Sequence, residues 1–164
     1  MRTLLATLVA LTLGVSPTLA ETPTARFLRL PLSALGKSIQ SLTSKLGDPQ
    51  TAKFQLLPNR HEPTMRDVRA NLVFDGVSAT VLIALCCEKS LLESVRLDQS
   101  VGAAVLGERL PVTSAEVQDR FGVPTMRSKS ALIYEIPNDV GTDTVTFGLR
   151  RGLVTSVEWK YFID

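Results

Sequence analysis

The sequence predicts an α+β fold: a tandem repeat of a short helix followed by a three-stranded antiparallel meander, with the helices on one face of the sheet. Three observations predict it. Two segments that open on a hydroxyl residue and close on Gly-x-Pro match at a constant offset of 75 residues. Two longer stretches of alternating hydrophobicity match without a gap at an offset of 62. The links inside those stretches are short, and short links favour antiparallel neighbours.

The chain opens on Met1-Arg2-Thr3, with one positive charge, and an uncharged apolar stretch from Leu4 to Val15. Ser16-Pro17-Thr18-Leu19-Ala20 then supplies a helix-breaking proline and the small residues that signal peptidase accepts. Residues 1–20 therefore read as a cleavable signal peptide; an apolar run of about 12 residues is too short to span a bilayer, which needs roughly 20. Cleavage after Ala20 leaves 144 residues, 21–164, enough for one domain with a proper core, built of repeats at about 35–98 and 110–163. No cysteine stands at the cleavage region, so no lipid anchor is expected, and no later segment is long enough for a transmembrane span. The expected location is periplasmic or secreted.

Within the first matched pair, Ser38 answers to Thr113, Leu42 to Val117, Lys45 to Arg120, Leu46 to Phe121, Gly47 to Gly122 and Pro49 to Pro124. Ser38 and Thr113 are expected helix caps, and Thr113 with Glu116 has the spacing of a capping box. Leu35, Ile39, Leu42 and Leu46 recur at helical spacing, as do Val117 and Phe121. Gly47 and Gly122 are expected to end their helices in the left-handed conformation, and the prolines forbid resumption.

In the second pair, Leu72 aligns with Tyr134, Phe74 with Ile136, Ile83 with Val145, Leu85 with Phe147 and Val95 with Val157. Alternation marks strands at roughly 69–75, 79–87 and 91–98, and again at 131–137, 143–149 and 153–163. The change of offset gives the first copy thirteen extra residues between its helix and its first strand. Part of that insertion, Ala52–Leu57, reads as an additional edge strand, and the remainder as an irregular loop containing Asn59-Arg60-His61-Glu62-Pro63.

A short helix ending in Leu46-Gly47-Asp48-Pro49 or Phe121-Gly122-Val123-Pro124, then a meander closing on Val145–Leu149 and Leu153–Trp159, resembles the unit of the β-lactamase-inhibitory-protein and BamE-like (SmpA/OmlA) group. Two copies in one exported chain look more like the inhibitor. The resemblance implies joined sheets, helices covering one side, and a function in binding other proteins.

A half-covered sheet has one wet face. With Phe74, Ile83, Leu85, Val95 and their matches as the core set, the second copy turns Glu135, Thr144, Thr146, Ser156, Glu158 and Lys160 outward. The first copy turns Val73, Leu82, Ala84 and Cys86 outward, an apolar patch of the kind that marks a partner site. Either this patch is open to a partner or Phe27-Leu28-Arg29-Leu30 or the long loop folds over it. Asn59, Arg60 and His61 are the candidate polar contacts beside it. Cys86 and Cys87 read as two small buried thiols; a vicinal disulfide, which adjacent residues form only under strain, or an intermolecular link are the other outcomes.

Catalytic chemistry finds no foothold. His61 is the only histidine and lacks the second ligand of a helical zinc motif. No G-x-S-x-G elbow, P-loop or dinucleotide fingerprint is present, and no carboxylate pair has the spacing of a hydrolytic site. Trp159 and Tyr161 share a side with the core set, so Trp159 reads as core rather than as a stacking platform. With 17 basic and 16 acidic residues after cleavage, the chain has no basic stripe for nucleic acid. The expectation is a non-catalytic protein without metal or cofactor, which binds or inhibits a protein partner in the cell envelope, such as a hydrolase or a toxin. The alternative is an envelope-assembly or scaffolding factor associated with outer-membrane proteins.

Overall fold

The computed structural model of the chain describes residues 22–163, and the segment 1–20 expected to be a signal peptide lies outside the described residues. Helix α1 (Pro23–Leu35) begins at Thr22, whose side chain accepts the Ala25 N–H, and continues through Pro31. A proline inside a helix has no N–H for the carbonyl one turn back. The carbonyl so released, that of Phe27, accepts the Trp159 indole N–H at 3.0 Å, and the Leu28 carbonyl accepts the Tyr161 hydroxyl at 2.9 Å. The sheet thus supplies what the proline withholds. Burial raises the Tyr161 phenol far above its ordinary pKa, so it stays a neutral donor.

The other helices are α2 (Ile39–Leu46), α3 (Gly102–Leu106) and α4 (Ser114–Phe121). Ser38 caps α2 by accepting the Ser41 N–H, and the Ser41 hydroxyl accepts the Ser38 N–H in return. Thr113 caps α4 through the Glu116 N–H. The return arm differs from expectation: the Glu116 carboxylate accepts the Val112 N–H at 2.6 Å, which holds it below the usual carboxylate pKa. Gly47 and Gly122 have φ of 80° and 81° with ψ of −168° and −155°. That is an extended region open essentially to glycine alone, not the left-handed helical well expected from the sequence.

The strands are β1 (Thr51–Pro58), β2 (Arg66–Phe74), β3 (Val77–Ala84), β4 (Lys89–Asp98), β5 (Met126–Arg127), β6 (Ala131–Pro137), β7 (Thr142–Arg150) and β8 (Leu153–Lys160). They form one antiparallel sheet in the order β1-β2-β3-β4-β8-β7-β6-β5. This corrects the expected fold class. The architecture is a single eight-stranded sheet with a few short helices, richer in strand than a repeat of helix plus three-stranded meander. The extra strand comes from the helix stops, each of which runs directly into a further edge strand, β1 or β5, where only the first was expected. The last strands of the two halves, β4 and β8, satisfy each other's open edges.

At that joint Val95 pairs with Trp159 and Leu97 with Val157, so exchanging the halves carries one pair into the other. Outward from it, Ala79 answers to Phe147 and Val77 to Val145. Leu72 and Phe74 then answer to Leu132 and Tyr134. The match of Val95 with Val157 therefore stands, whereas those of Leu72, Phe74, Ile83 and Leu85 are displaced. The hairpins explain why. Tyr134–Val145 encloses a longer turn than Phe74–Val77, and Leu82–Leu91 encloses a longer one than Arg150–Leu153. In sequence the two differences nearly cancel, which disguises them as a gap-free match.

One core cluster joins the helices to one face of the sheet: Phe27 and Leu35 of α1, Leu42 of α2, Leu106 of α3 and Val117 of α4 meet Leu72, Val81, Val95, Phe147 and Trp159. Phe27 lies at its centre, with ring centroids 5.2 Å from Trp159, 5.7 Å from Phe147 and 4.8 Å from Phe121. The Arg120 guanidinium, paired with Glu108, covers the Phe27 ring at 5.3 Å. Leu85, expected in the core, is 53% exposed because β3 ends at Ala84 and Leu85 opens the turn. Ser156, expected on the wet face, is buried opposite Gly148.

Trp159→Phe is expected to leave the Phe27 carbonyl without a donor inside the core, at a cost of about 1–3 kcal/mol beyond the change in packing. Pro31→Ala restores a backbone donor one turn on, so it should recover part of that loss in the Trp159→Phe background. Urea unfolding of the four proteins measures this as a coupling of about 1 kcal/mol; strict additivity would show that the carbonyl is not the link.

Candidate functional site

The uncovered face of the first half holds a groove of about 320 Å³. Its floor consists of two rows that run across the strands. Leu57, Asp67, Ala84 and Lys89 are successive partners in one row, and Arg69, Leu82 and Leu91 in the next. Alternation along each strand turns these residues away from the helices. The β4 chain carries a bulge here, with Thr80 opposite Ser94 but Val81 opposite Leu92. The extra residue, Glu93, reaches over β3 to grip Arg69 with two bonds of 2.8 Å, Nε to Oε2 and Nη2 to Oε1.

One wall is the loop between β1 and β2. Asn59 holds it in place. Its Nδ2 donates to both carboxylate oxygens of Asp67, at 3.0 and 3.2 Å. Its Oδ1 accepts the backbone N–H groups of His61 at 2.9 Å and Glu62 at 2.7 Å. Asn59 and Asp67 are both 7% exposed, a buried polar pair whose groups are all used. Arg60 reaches the end of the described chain, where its Nη1 donates to the Ile163 carbonyl at 3.3 Å. The opposite wall is the turn after β3, which carries Cys86 and Cys87.

Six of the residues singled out from the sequence line this groove: Asn59, Arg60, His61, Leu82, Ala84 and Cys86. Val73 does not. It lies near the other end of β2, 41% exposed, beside a separate shallow depression. Asn59 serves the loop rather than the surface, while Arg60 and His61 are exposed. The expectation of buried thiols is corrected, since both cysteines are free and exposed in the turn, where chain reversal lifts them off the sheet. Of the alternatives left open for the patch, neither covering segment fills it: α1, with Phe27-Leu28-Arg29-Leu30, packs on the opposite, core face, and the loop borders the groove.

Asp67, Arg69, Lys89, Leu91 and Glu93 were missed. Asp67 precedes the expected start of β2, although it shares the parity of Val73. The bulge inverts the parity of β4, so no period-two reading places Leu91 and Glu93 on this face. The outer face of the second half carries a more open depression with a largely polar lining that includes Ser130, Thr146, Thr155 and Glu158. Its row Ile133, Thr146 and Glu158 answers to Val73, Ser78 and Arg96 of the first half, outside the groove. Leu82–Leu91 encloses eight residues where the corresponding Arg150–Leu153 encloses two, so the cysteine wall has no counterpart there.

Among the described residues, no group of three or more His, Cys, Asp and Glu is placed to hold a metal ion, and no helix is long and apolar enough to cross a membrane. Compared with known proteins, the chain matches no family model, no curated protein and no solved structure. The class defined by fold and site is thus a single antiparallel sheet, helices on one face, with an apolar-floored groove on the other half-face.

Asn59→Ala should cost about 2 kcal/mol, because a buried carboxylate and two backbone donors lose their partners. Hydrogen exchange at the His61 and Glu62 amides should accelerate with it. An unchanged urea midpoint with unchanged exchange would show that Asn59 does not hold the wall.

Proposed function

We propose that this chain is an exported, non-catalytic binding protein that captures a protein partner in the cell envelope through the open face of its first half. The observation that carries the reading is the contrast between the halves. The first half presents Leu57, Leu82, Ala84 and Leu91 between two walls, whereas the hairpin that answers to Leu82–Leu91 in the second half, Arg150–Leu153, encloses only two residues and raises no such wall. An apolar floor ringed by Arg60, His61 and Lys89 suits an anchor side chain with a polar neighbour. Such pockets concentrate the energy of protein interfaces. The preformed sheet adds little ordering cost on binding. The resemblance of the Gly-x-Pro helix stops to those of inhibitory proteins points the same way and makes a hydrolase or toxin the first partner to try.

A second reading, an envelope-assembly scaffold, draws on a different feature. The edge strand β1 is eight residues long, with no partner strand on its outer side among the described residues and Phe54 and Leu56 62% and 68% exposed. An edge of this kind accepts an added strand.

Capture from the exported fraction of the host, followed by a titration with the purified partner, separates the two. Leu82→Asp should weaken a groove-bound partner by about 2 kcal/mol or more, roughly 30-fold, with little change in melting temperature. Phe54→Lys should leave that partner bound. Loss of binding in Phe54→Lys alone would support the scaffold, and undiminished binding in Leu82→Asp would remove the groove reading.

A further inference from the structure

Cys86 and Cys87 are neighbours in sequence, both exposed, and both on the wall of the groove. Their sulfurs approach to 3.0 Å, with the Cys86 thiol donating to Cys87 Sγ. The four residues between Ala84 and Lys89 make no ladder pairs, and the Cys87 N–H meets the Ala84 carbonyl only at a long 3.4 Å. The turn is therefore free to change its backbone without disturbing β3 or β4.

We propose that Cys86 and Cys87 form a redox site, a vicinal dithiol that a small or protein disulfide oxidises by exchange to a Cys86–Cys87 disulfide on the groove wall. Cys87, which accepts the hydrogen bond, attacks first: its thiolate bonds to one sulfur of the substrate R–S–S–R, that S–S bond breaks, and R–S⁻ leaves and takes up the proton Cys87 lost. Cys86 then attacks Cys87 Sγ, displaces the second R–S⁻, and gives it its own proton. Two electrons and two protons pass to the substrate, which becomes two R–SH. The hydrogen bond to Cys87 raises the pKa of Cys86, so it remains the protonated, resolving partner during the first step.

Adjacent α-carbons lie about 3.8 Å apart across a trans peptide, short of the roughly 4.4–6.8 Å of ordinary disulfides. The product is consequently strained, and strained, exposed disulfides are the readily reduced, regulatory kind. Oxidation is reversible and reshapes the wall beside Leu82 and Ala84, whatever the groove binds.

The test uses the reduced full chain incubated with glutathione disulfide and followed by intact mass and thiol alkylation. The wild type should remain monomeric, lose two hydrogens and both alkylatable thiols, carry no glutathione, and recover fully with dithiothreitol. Cys86→Ser and Cys87→Ser, both in the exposed turn, lack the second thiol and should react only by keeping a glutathione adduct or linking to a second chain. A wild type that accumulates adduct as its variants do, links to a second chain, or does not react at all would overturn the proposal.

Discussion

The indole of Trp159 ties together three things that would otherwise be separate. It belongs to β8, at the joint where the two halves of the sheet meet, with Val95 on one side and Val145 on the other. Its ring faces Phe27, and its N–H closes the backbone gap that Pro31 opens in α1. A buried carbonyl without a donor costs more than an ordinary hydrogen bond contributes. The contact therefore specifies where the helix lies as well as adding to its stability. Tyr161 repeats the arrangement one residue along the helix. With α1 committed to this face, nothing of the helix layer remains to cover the other.

That commitment is what leaves the first half's outer face available. The two halves share a joint and a pair of helix stops but spend their spare residues differently. The second half lengthens the hairpin between β6 and β7. The first lengthens the one between β3 and β4 and adds the long loop after β1. Both additions of the first half rise at the same end of the sheet, and the groove is the space between them. The Asn59–Asp67 pair and the Arg69–Glu93 fork hold its walls and floor with polar groups that satisfy each other, so the apolar residues need not be covered for the fold to hold.

Local chemistry made much of this legible. Ser38 and Thr113, the two Gly-x-Pro stops and the limits of β6 at Ala131 and Pro137 follow from capping, backbone preference and alternation, each confined to a few residues. The edge strand near 52–57 was visible for the same reason. Helix α1 was not, because Pro31 argues against a helix unless a donor arrives from far along the chain. Strand counts and register depend on how the halves meet, and two hairpin differences of opposite sense concealed each other. The open patch of Leu82, Ala84 and Cys86 emerged from alternation alone. Glu93, the partner of Arg69, did not, because a bulge in β4 reverses the parity that alternation relies on.

Trp159 is the only tryptophan of the chain, so its indole N–H gives a single resolved signal. Its hydrogen exchange, measured by NMR in the native state alongside the amides of β4 and β8, tests directly whether this contact locks helix layer and sheet joint into one unit. The structure predicts that the indole exchanges only through global unfolding, with the same free energy as the slowest of those amides. An indole that exchanges through a local opening, while β4 and β8 remain protected, would contradict the account.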